Sequence, residues 1–376
     1  MTRGNQAFQK AANAALVMRE IRRNEPISRT EIASALGLTK STVTNIVSDL
    51  LRAGLVQEGE PAGGEPRGGR PRRSLALHGN AACVLGIELN PDRWEAVYLN
   101  LRGELVATYE GHVSDTKHRT GSTPLDPVGL AADVVRDVPA PPDGLPLIGI
   151  GFGLPGYTDP IWGRIIKSTA LQADGCAFAE PLHRALRTPI LVDNDANCIA
   201  WGEISNPDTE AGVQEENLLT VLLKDHRDPA GRLLPTSPGI GCGIVVDGAV
   251  RYGEHFAAGE LRSGEWTQQS PGQLSESHIS AGPEEERDTA MLTDLFKTLS
   301  VAVSLVSPAR VVYAGDLLDR AAHIDELLDT TLREHYISPD ISGIPVAPSR
   351  FGKTAIASGA AAMFLERLFV LPEVGR

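Results

Sequence analysis

Cysteine is scarce in this 376-residue chain: only Cys83, Cys176, Cys198 and Cys242 occur, and no two are close enough to form a CxxC or CxxH pair. A disulfide scaffold and a zinc knuckle are therefore not expected, and the four thiols read as small buried apolar side chains. Long apolar runs are missing too. None approaches the roughly 20 residues that span a bilayer, and the opening MTRGNQAFQK lacks the apolar core of a signal peptide. A cytoplasmic protein with no membrane partner is expected. The length leaves room for two or three domains, each with its own core.

Positive charge is also in deficit, with 35 Lys and Arg against 48 Asp and Glu, but the deficit is uneven. Residues 1–80 carry a net charge of +5 and the remainder −18. Such asymmetry predicts a basic binding module on an acidic body, divided here as 1–80 and 81–376.

Within the first segment, Ala11, Ala12, Ala15, Leu16 and Ile21 can share one face of a first helix, and Arg19, Arg22 and Arg23 gather at its end, where cations suit the helix dipole. Ser28 and Glu31 fit a capping box, and Gly37 of "ALGLTK" supplies a left-handed stop. After that turn Thr39 caps a third helix with Val43, Ile46, Val47, Leu50 and Leu51 on its apolar face and Gly54 as its stop. Thr39, Lys40, Ser41, Thr42, Thr44 and Asn45 lie elsewhere on it, short polar and basic groups suited to phosphates and base edges in a major groove. "LVQEG" and "RRSLALH" then read as strands joined by a Gly/Pro-rich loop that brings Arg67, Arg70, Arg72 and Arg73 to its distal end. Alone, that arginine run reads equally as a solvated linker. Following a helix-turn-helix pattern it reads as a wing that contacts DNA backbone or minor groove.

From residue 82 the pattern changes to apolar strand-like runs alternating with helical stretches, the signature of an α/β body of two lobes. "GIGFGLPGYTD" and "GIGCGIVVDG" carry closely spaced glycines that let a backbone approach a ligand or cradle an anion, with a tight turn as the plainer reading. "VDNDAN" places Asn194 and Asp195 after an apolar strand, where they serve either as an amide and acceptor for ligand hydroxyls or as a helix N-cap.

Taken in order, the winged helix, "GIGFGLPGYTDPIWG", "VDNDANCIAWGE", "SPGIGCGIVVDGAVRYGEHFAAGEL" and "ARVVYAGD" resemble the ROK family of sugar-responsive repressors and sugar kinases along essentially the whole chain. Gly239, Gly241, Gly243 and Gly253 with the following "AAGE" are the most specific part. The resemblance implies a hexokinase/actin-like body of two ribonuclease-H-like lobes behind the winged helix-turn-helix, with a sugar in the interlobe cleft. It implies sugar contacts at Gly156, Asn194, Asp195 and Glu260, Asp195 being the position that serves as base in family kinases.

The chain departs from the family pattern twice. Where kinases carry an Asp-x-Gly-x-Thr-like phosphate loop, Glu88 stands in the aspartate's place and Asn90, Pro91 and Asp92 follow with no glycine or threonine, which argues against phosphoryl transfer. Where many members bind zinc, Arg262 and Ser263 replace a Gly-His pair, Gln273 and Ser275 stand for Cys and Glu, and Glu276 lies one place on as a substitute carboxylate. His278 reads as a surface residue. No metal, cofactor or catalytic residue is expected, and Asp195 reads as a ligand contact rather than a base. The leading expectation is a homo-oligomeric repressor, dimer or tetramer, that binds double-stranded operator DNA and a sugar effector. The alternatives are an ATP-dependent sugar kinase and a ligand-independent repressor with a degenerate pocket.

Overall fold

The computed structural model describes residues 3–61, 73–113, 125–205, 217–225, 238–275 apart from 269 and 271, 283–330 and 343–369. The N-terminal head comprises α1 (Arg3–Asn24), β1 (Ile27–Ser28), α2 (Arg29–Ala35), α3 (Lys40–Arg52), β2 (Val56–Pro61) and β3 (Arg73–Leu77). Its strands form one sheet in the order β1-β3-β2. The local signals act as predicted. Ser28 Oγ accepts from the Glu31 N–H while Glu31 Oε2 accepts from the Ser28 N–H at 2.8 Å, and Gly37 and Gly54 adopt φ of 62° and 72°. The buried face of α1 differs in detail from expectation: Val17 and Met18 join Ala12, Ala15 and Ile21 in the core, and Leu16 is only partly buried.

The body repeats one strand plan. In the first lobe β4 (Cys83–Leu89), β5 (Arg93–Asn100) and β6 (Leu105–His112) form an antiparallel meander, and β7 (Leu147–Leu154) and β11 (Ile190–Asn194) extend it in parallel beyond β4. The order is β11-β7-β4-β5-β6. In the second lobe β12 (Leu218–Lys224), β13 (Gly239–Val246) and β14 (Ala249–Val250) form the meander, and β15 (Arg310–Gly315) and β16 (Val346–Pro348) extend it, giving β14-β13-β12-β15-β16. A small sheet of β8 (Tyr157–Asp159), β9 (Arg164–Ser168) and β10 (Ala173–Ala177) is attached to the first lobe.

Six further helices are described. α4 (Pro127–Asp137) and α5 (Ala179–Leu186) cover the outer face of the first sheet, where Leu130, Val134 and Leu182 meet Leu85, Ile87 and Phe152. α7 (Glu284–Val306) and α8 (Ala321–Asp329) cover the second, through Leu292, Leu295, Leu299 and Ile324. Between the sheets lie α6 (Asp195–Ile204) and α9 (Ala355–Leu368), packed on each other. Both sequences suit that position, because α6 is buried at eight of its ten residues and α9 reads Ala-rich and apolar all round.

Among the clustered glycines Gly149, Gly151, Gly153 and Gly243 serve this packing, whereas Gly248 takes the tight turn between β13 and β14 at φ of 68°. A side chain at Gly151 of β7 would run into the Ala360 carbonyl of α9, and one at Gly359 into the Cys198 carbonyl of α6. The strands and helices therefore approach at backbone distance, which only a residue without Cβ permits. Among the described residues one helix, over Glu285–Val306, is long and apolar enough to cross a membrane by length and composition, where the sequence suggested no such run. Its Met291, Leu292, Leu295, Phe296, Leu299 and Val303 are instead core residues of the second lobe. Cys83, Cys198 and Cys242 are buried as expected, whereas Cys176 is partly exposed. Burial raises the Cys83 thiol to about 11 and the Cys242 thiol to about 12.

Candidate functional site

The end of β11 and the start of α6 lie where the two lobes meet, Lys224 of the second lobe reaching Glu88 and Asp195. Asn194 is the N-cap of α6: its Oδ1 accepts from the Ala196 and Asn197 N–H groups at 2.9 and 3.3 Å, and its Nδ2 donates to the Gly156 carbonyl at 2.8 Å. The capping reading is thus realised, and it leaves one amide hydrogen of Asn194 for a ligand. Gly156, at φ of 101°, enters through its carbonyl, because a side chain there would meet the Lys167 carbonyl.

Asp195 is buried, with both oxygens engaged. Oδ1 accepts from its neighbour Ala196 N–H at 2.9 Å, and Oδ2 pairs with Lys224 Nζ at 3.0 Å. Lys224 also pairs with Glu88 Oε1 at 2.9 Å and donates to Asn90 Oδ1 at 3.4 Å, while Asn90 Nδ2 donates to Glu88 at 2.8 Å. Burial pulls the Lys224 ammonium down, but the charges of Asp195 and Glu88 together outweigh it and hold it above its ordinary value. Burial alone would raise Glu88; the Lys224 charge and hydrogen bonds from Lys224 and Asn90 bring it below the usual carboxylate range. Lys224 was not singled out in the sequence, where it only closes the apolar strand "LLTVLLK".

Glu260 stands exposed beside Tyr157. Desolvation first, and the Asp195 charge second, raise its carboxyl above the ordinary value against the pull of the Tyr157 hydroxyl. Gly156, Tyr157, Asn194, Asp195 and Glu260 therefore converge. Beneath them Asp193, fully buried, accepts from the Asn194 N–H, Asn197 Nδ2, Trp201 Nε1 and the Tyr252 hydroxyl at 2.7, 3.0, 3.1 and 2.8 Å. Burial outweighs these four donors and leaves its carboxyl raised. The Tyr252 bond ties the end of β11 to the loop that leads to Glu260, and Trp201 Nε1 of α6 donates to the same hydroxyl at 3.2 Å.

That loop is fastened by neutral side chains and one aspartate. Ser263 Oγ donates to Asp294 Oδ1 at 2.6 Å, the Ser275 N–H donates to Asp294 Oδ2 at 2.8 Å, and Gln273 Nε2 donates to the Ile240 and Leu261 carbonyls at 2.8 and 2.9 Å. Ser263 and Ser275 are both buried in this staple. Among the described residues no group of three or more His, Cys, Asp or Glu is placed to hold a metal. Glu276 and His278 lie outside the described residues.

On the head, Thr39 Oγ1 accepts from the Thr42 N–H at 3.2 Å and shares hydrogen bonds with the Ser41 and Thr42 hydroxyls, and Thr44 Oγ1 donates to the Lys40 carbonyl at 2.7 Å. Lys40, Ser41, Thr44 and Asn45 are exposed along one side of α3, opposite the buried Val43, Ile46, Val47 and Leu50. Arg73 is exposed and pairs with Glu58 at 2.6 Å; Arg67, Arg70 and Arg72 lie outside the described residues.

Head and site are joined through Arg22, which the sequence suggested only as a dipole-compensating cation. It is buried, pairs with Glu366 of α9 at 2.7 Å, donates to the Ser205 carbonyl at the end of α6 at 3.1 Å, and stacks over Phe369 at 5.2 Å. Beside it Arg102 of the body pairs with Glu25 at 2.8 Å and donates to the Leu77 carbonyl at 2.7 Å.

Comparison with known proteins places this geometry. Residues 106–264 match the ROK family, and residues 11–65 match the MarR family. A xylose repressor of Caldicellulosiruptor bescii is 26% identical over 263 residues, covering 69% of this chain and 59% of the repressor, so the chain spans about three-fifths of that relative's length. Among solved structures, a ROK family transcriptional regulator described as a homolog of the E. coli MLC protein superposes with a TM-score of 0.72 over 96% of this chain and 97% of its own, at 17% identity. A ROK family glucokinase from Streptomyces griseus superposes with a TM-score of 0.58 over 75% of this chain and 99% of its own, at 16% identity. The body has the fold of this glucokinase, and nearly the whole chain has the fold of the regulator.

Proposed function

For a chain that carries a ROK family domain behind an N-terminal winged helix of the MarR type, we propose a sugar-responsive transcriptional repressor of the cytoplasm. Its head, residues 1–80, binds operator DNA through α3 and the wing. Its body, residues 81–376, takes a sugar between the lobes, at Gly156, Asn194, Asp195 and Glu260 with Glu276 as a further contact. Two copies present two winged helices to a pseudo-palindromic operator. The observation that carries this reading is the course of α6. It begins at Asn194 and Asp195 in the cleft and ends, about 15 Å away at the helical rise per residue, at the Ser205 carbonyl held by Arg22 of the head. A ligand that shifts the start of that helix shifts its grip on α1, and a switch of this kind works as far as the ligand binds the two arrangements differently.

Phosphoryl transfer is disfavoured because Glu88, Asn90, Pro91 and Asp92 stand where a phosphate loop would carry its glycine and threonine, so nothing there positions a nucleotide phosphate. The test is fluorescence anisotropy with fragments of the protein's own upstream DNA at fixed salt, with and without a panel of sugars and sugar phosphates. Selective binding released by one sugar is the expected outcome. Asp195→Ala should keep DNA affinity and raise the releasing concentration at least ~10-fold, the equivalent of one lost hydrogen bond to a charged group. Selective binding indifferent to every sugar would favour the ligand-independent repressor, and ADP release from magnesium-ATP with one hexose would favour the kinase. Arg22→Met should leave both DNA and sugar binding in place yet uncouple them.

A further inference from the structure

The cleft contains a cation for which sugar binding and DNA binding have no evident use. Lys224 ends the first strand of the second lobe, and Glu88 lies one residue before the end of the first strand of the first lobe. All three ammonium hydrogens have partners, and those partners come from three elements: Glu88 Oε1 on β4, Asn90 Oδ1 just after it, and Asp195 Oδ2 at the head of α6. The Glu88, Asp195 and Lys224 side chains are 7, 8 and 17% exposed. Two carboxylates withdrawn from water repel each other and resist ionisation unless a positive charge lies between them. A tethered ammonium satisfies that need; so does a divalent ion on hard oxygen ligands, which Glu88, Asp195 and Asn90 all supply.

We infer that Lys224 is a positioning residue: a resident cation that fills the place a divalent ion would otherwise take between Glu88 and Asp195, so that the chain's own charge fixes the Asp195 carboxylate and holds the lobes together. A metal-bound nucleotide does not fit beside it, because the ammonium already neutralises the carboxylates that would hold the metal. This inference shares the cleft with the proposed sugar site, but its test needs neither operator nor sugar, so either reading can fail without the other.

The experiment is a melting and manganese-binding series on the full chain. Lys224→Ala should lower Tm by roughly 5–10 °C, and millimolar Mn2+ should restore most of that loss while leaving the wild type unmoved. Electron paramagnetic resonance should report one bound Mn2+ per chain in Lys224→Ala and none in Lys224→Ala/Glu88→Gln. Lys224→Arg, which keeps the charge, should melt close to the wild type. An unchanged Tm in Lys224→Ala, or Mn2+ binding no stronger than in the wild type, overturns the inference. If Lys224→Ala does not fold, Lys224→Met/Glu88→Gln removes one charge of each sign, and amide exchange through 84–89 and 218–223 becomes the readout. Faster exchange than in the wild type supports the lock, and unchanged protection overturns it.

Discussion

The two lobes share one strand plan but hold the central helices by different means. The first lobe does so by proximity: Gly86 and Gly151 let the α9 backbone lie directly on its strands, against the Ala357 and Ala360 carbonyls. The second has a similar approach, Gly243 of β13 against the Ala196 carbonyl of α6, and adds charge. Glu203, near the end of α6 and with a fully buried side chain, takes Arg310 of β15 at 3.0 Å and Arg350 at 3.1 Å, and accepts from Ser349 Oγ at 2.8 Å. The cross-strand neighbours differ in the same sense. Glu88 faces Glu95, which in turn faces Glu110, whereas Lys224 faces Gly239. A shared topology thus leaves the means of attachment open, since strand order is set by backbone pairing and attachment by the side chains at a few contact points.

The contrast is broken most severely at Glu203. Glu203→Ala takes the buried carboxylate away from two largely buried guanidinium groups, and a loss of about 3–5 kcal/mol is expected in urea unfolding followed by tryptophan fluorescence. Gly151→Ala attacks the first lobe, where the added methyl group collides with a helix carbonyl. An overpacking cost of about 1–3 kcal/mol is expected in the same assay, and it should be insensitive to salt, because no charge is involved. The smallest effect is expected at Glu95. Its carboxyl is raised to about 7, by desolvation first and then by the charges of Glu88 and Glu110, against Arg93 and Lys353. A raised acid favours the folded state while protonated, so this contribution is full below the unfolded value of 4.5 and is lost as pH climbs through about 7. Glu95→Gln should flatten the fall in stability across that window and melt above the wild type at alkaline pH.

Much of the head was legible in the sequence because its signals are local. Ser28 and Glu31 sit three residues apart, Gly37 and Gly54 end their helices with positive φ, and the apolar face of α3 follows from its own periodicity. The lobes were legible as alternating strands and helices, and Asn194 as a cap or a contact. What stayed hidden are pairings across sequence distance. Arg22 meets Glu366 across 344 residues, and Lys224 meets Asn90 across 134. At both positions the local pattern offers a blander role, a dipole-compensating cation or the polar end of a strand, and no periodicity distinguishes it from the actual one. The glycines packed on the helices misled for a related reason, because close approach to a helix and close approach to a ligand demand the same missing Cβ, while Gly248 marks the tight turn that its sequence suggests.

The staple beneath Glu260 has a bearing on the conditions under which such a protein keeps its shape. A loop organised by thiolates around an ion loosens when a chelator removes the ion or an oxidant converts the thiolates. Here the corresponding fastening runs through Ser263, Gln273 and Asp294, whose hydrogen bonds neither a chelator nor peroxide can take apart. Among the described residues, the fastening of the wall that carries Glu260 therefore offers a chelator or a peroxide nothing to remove.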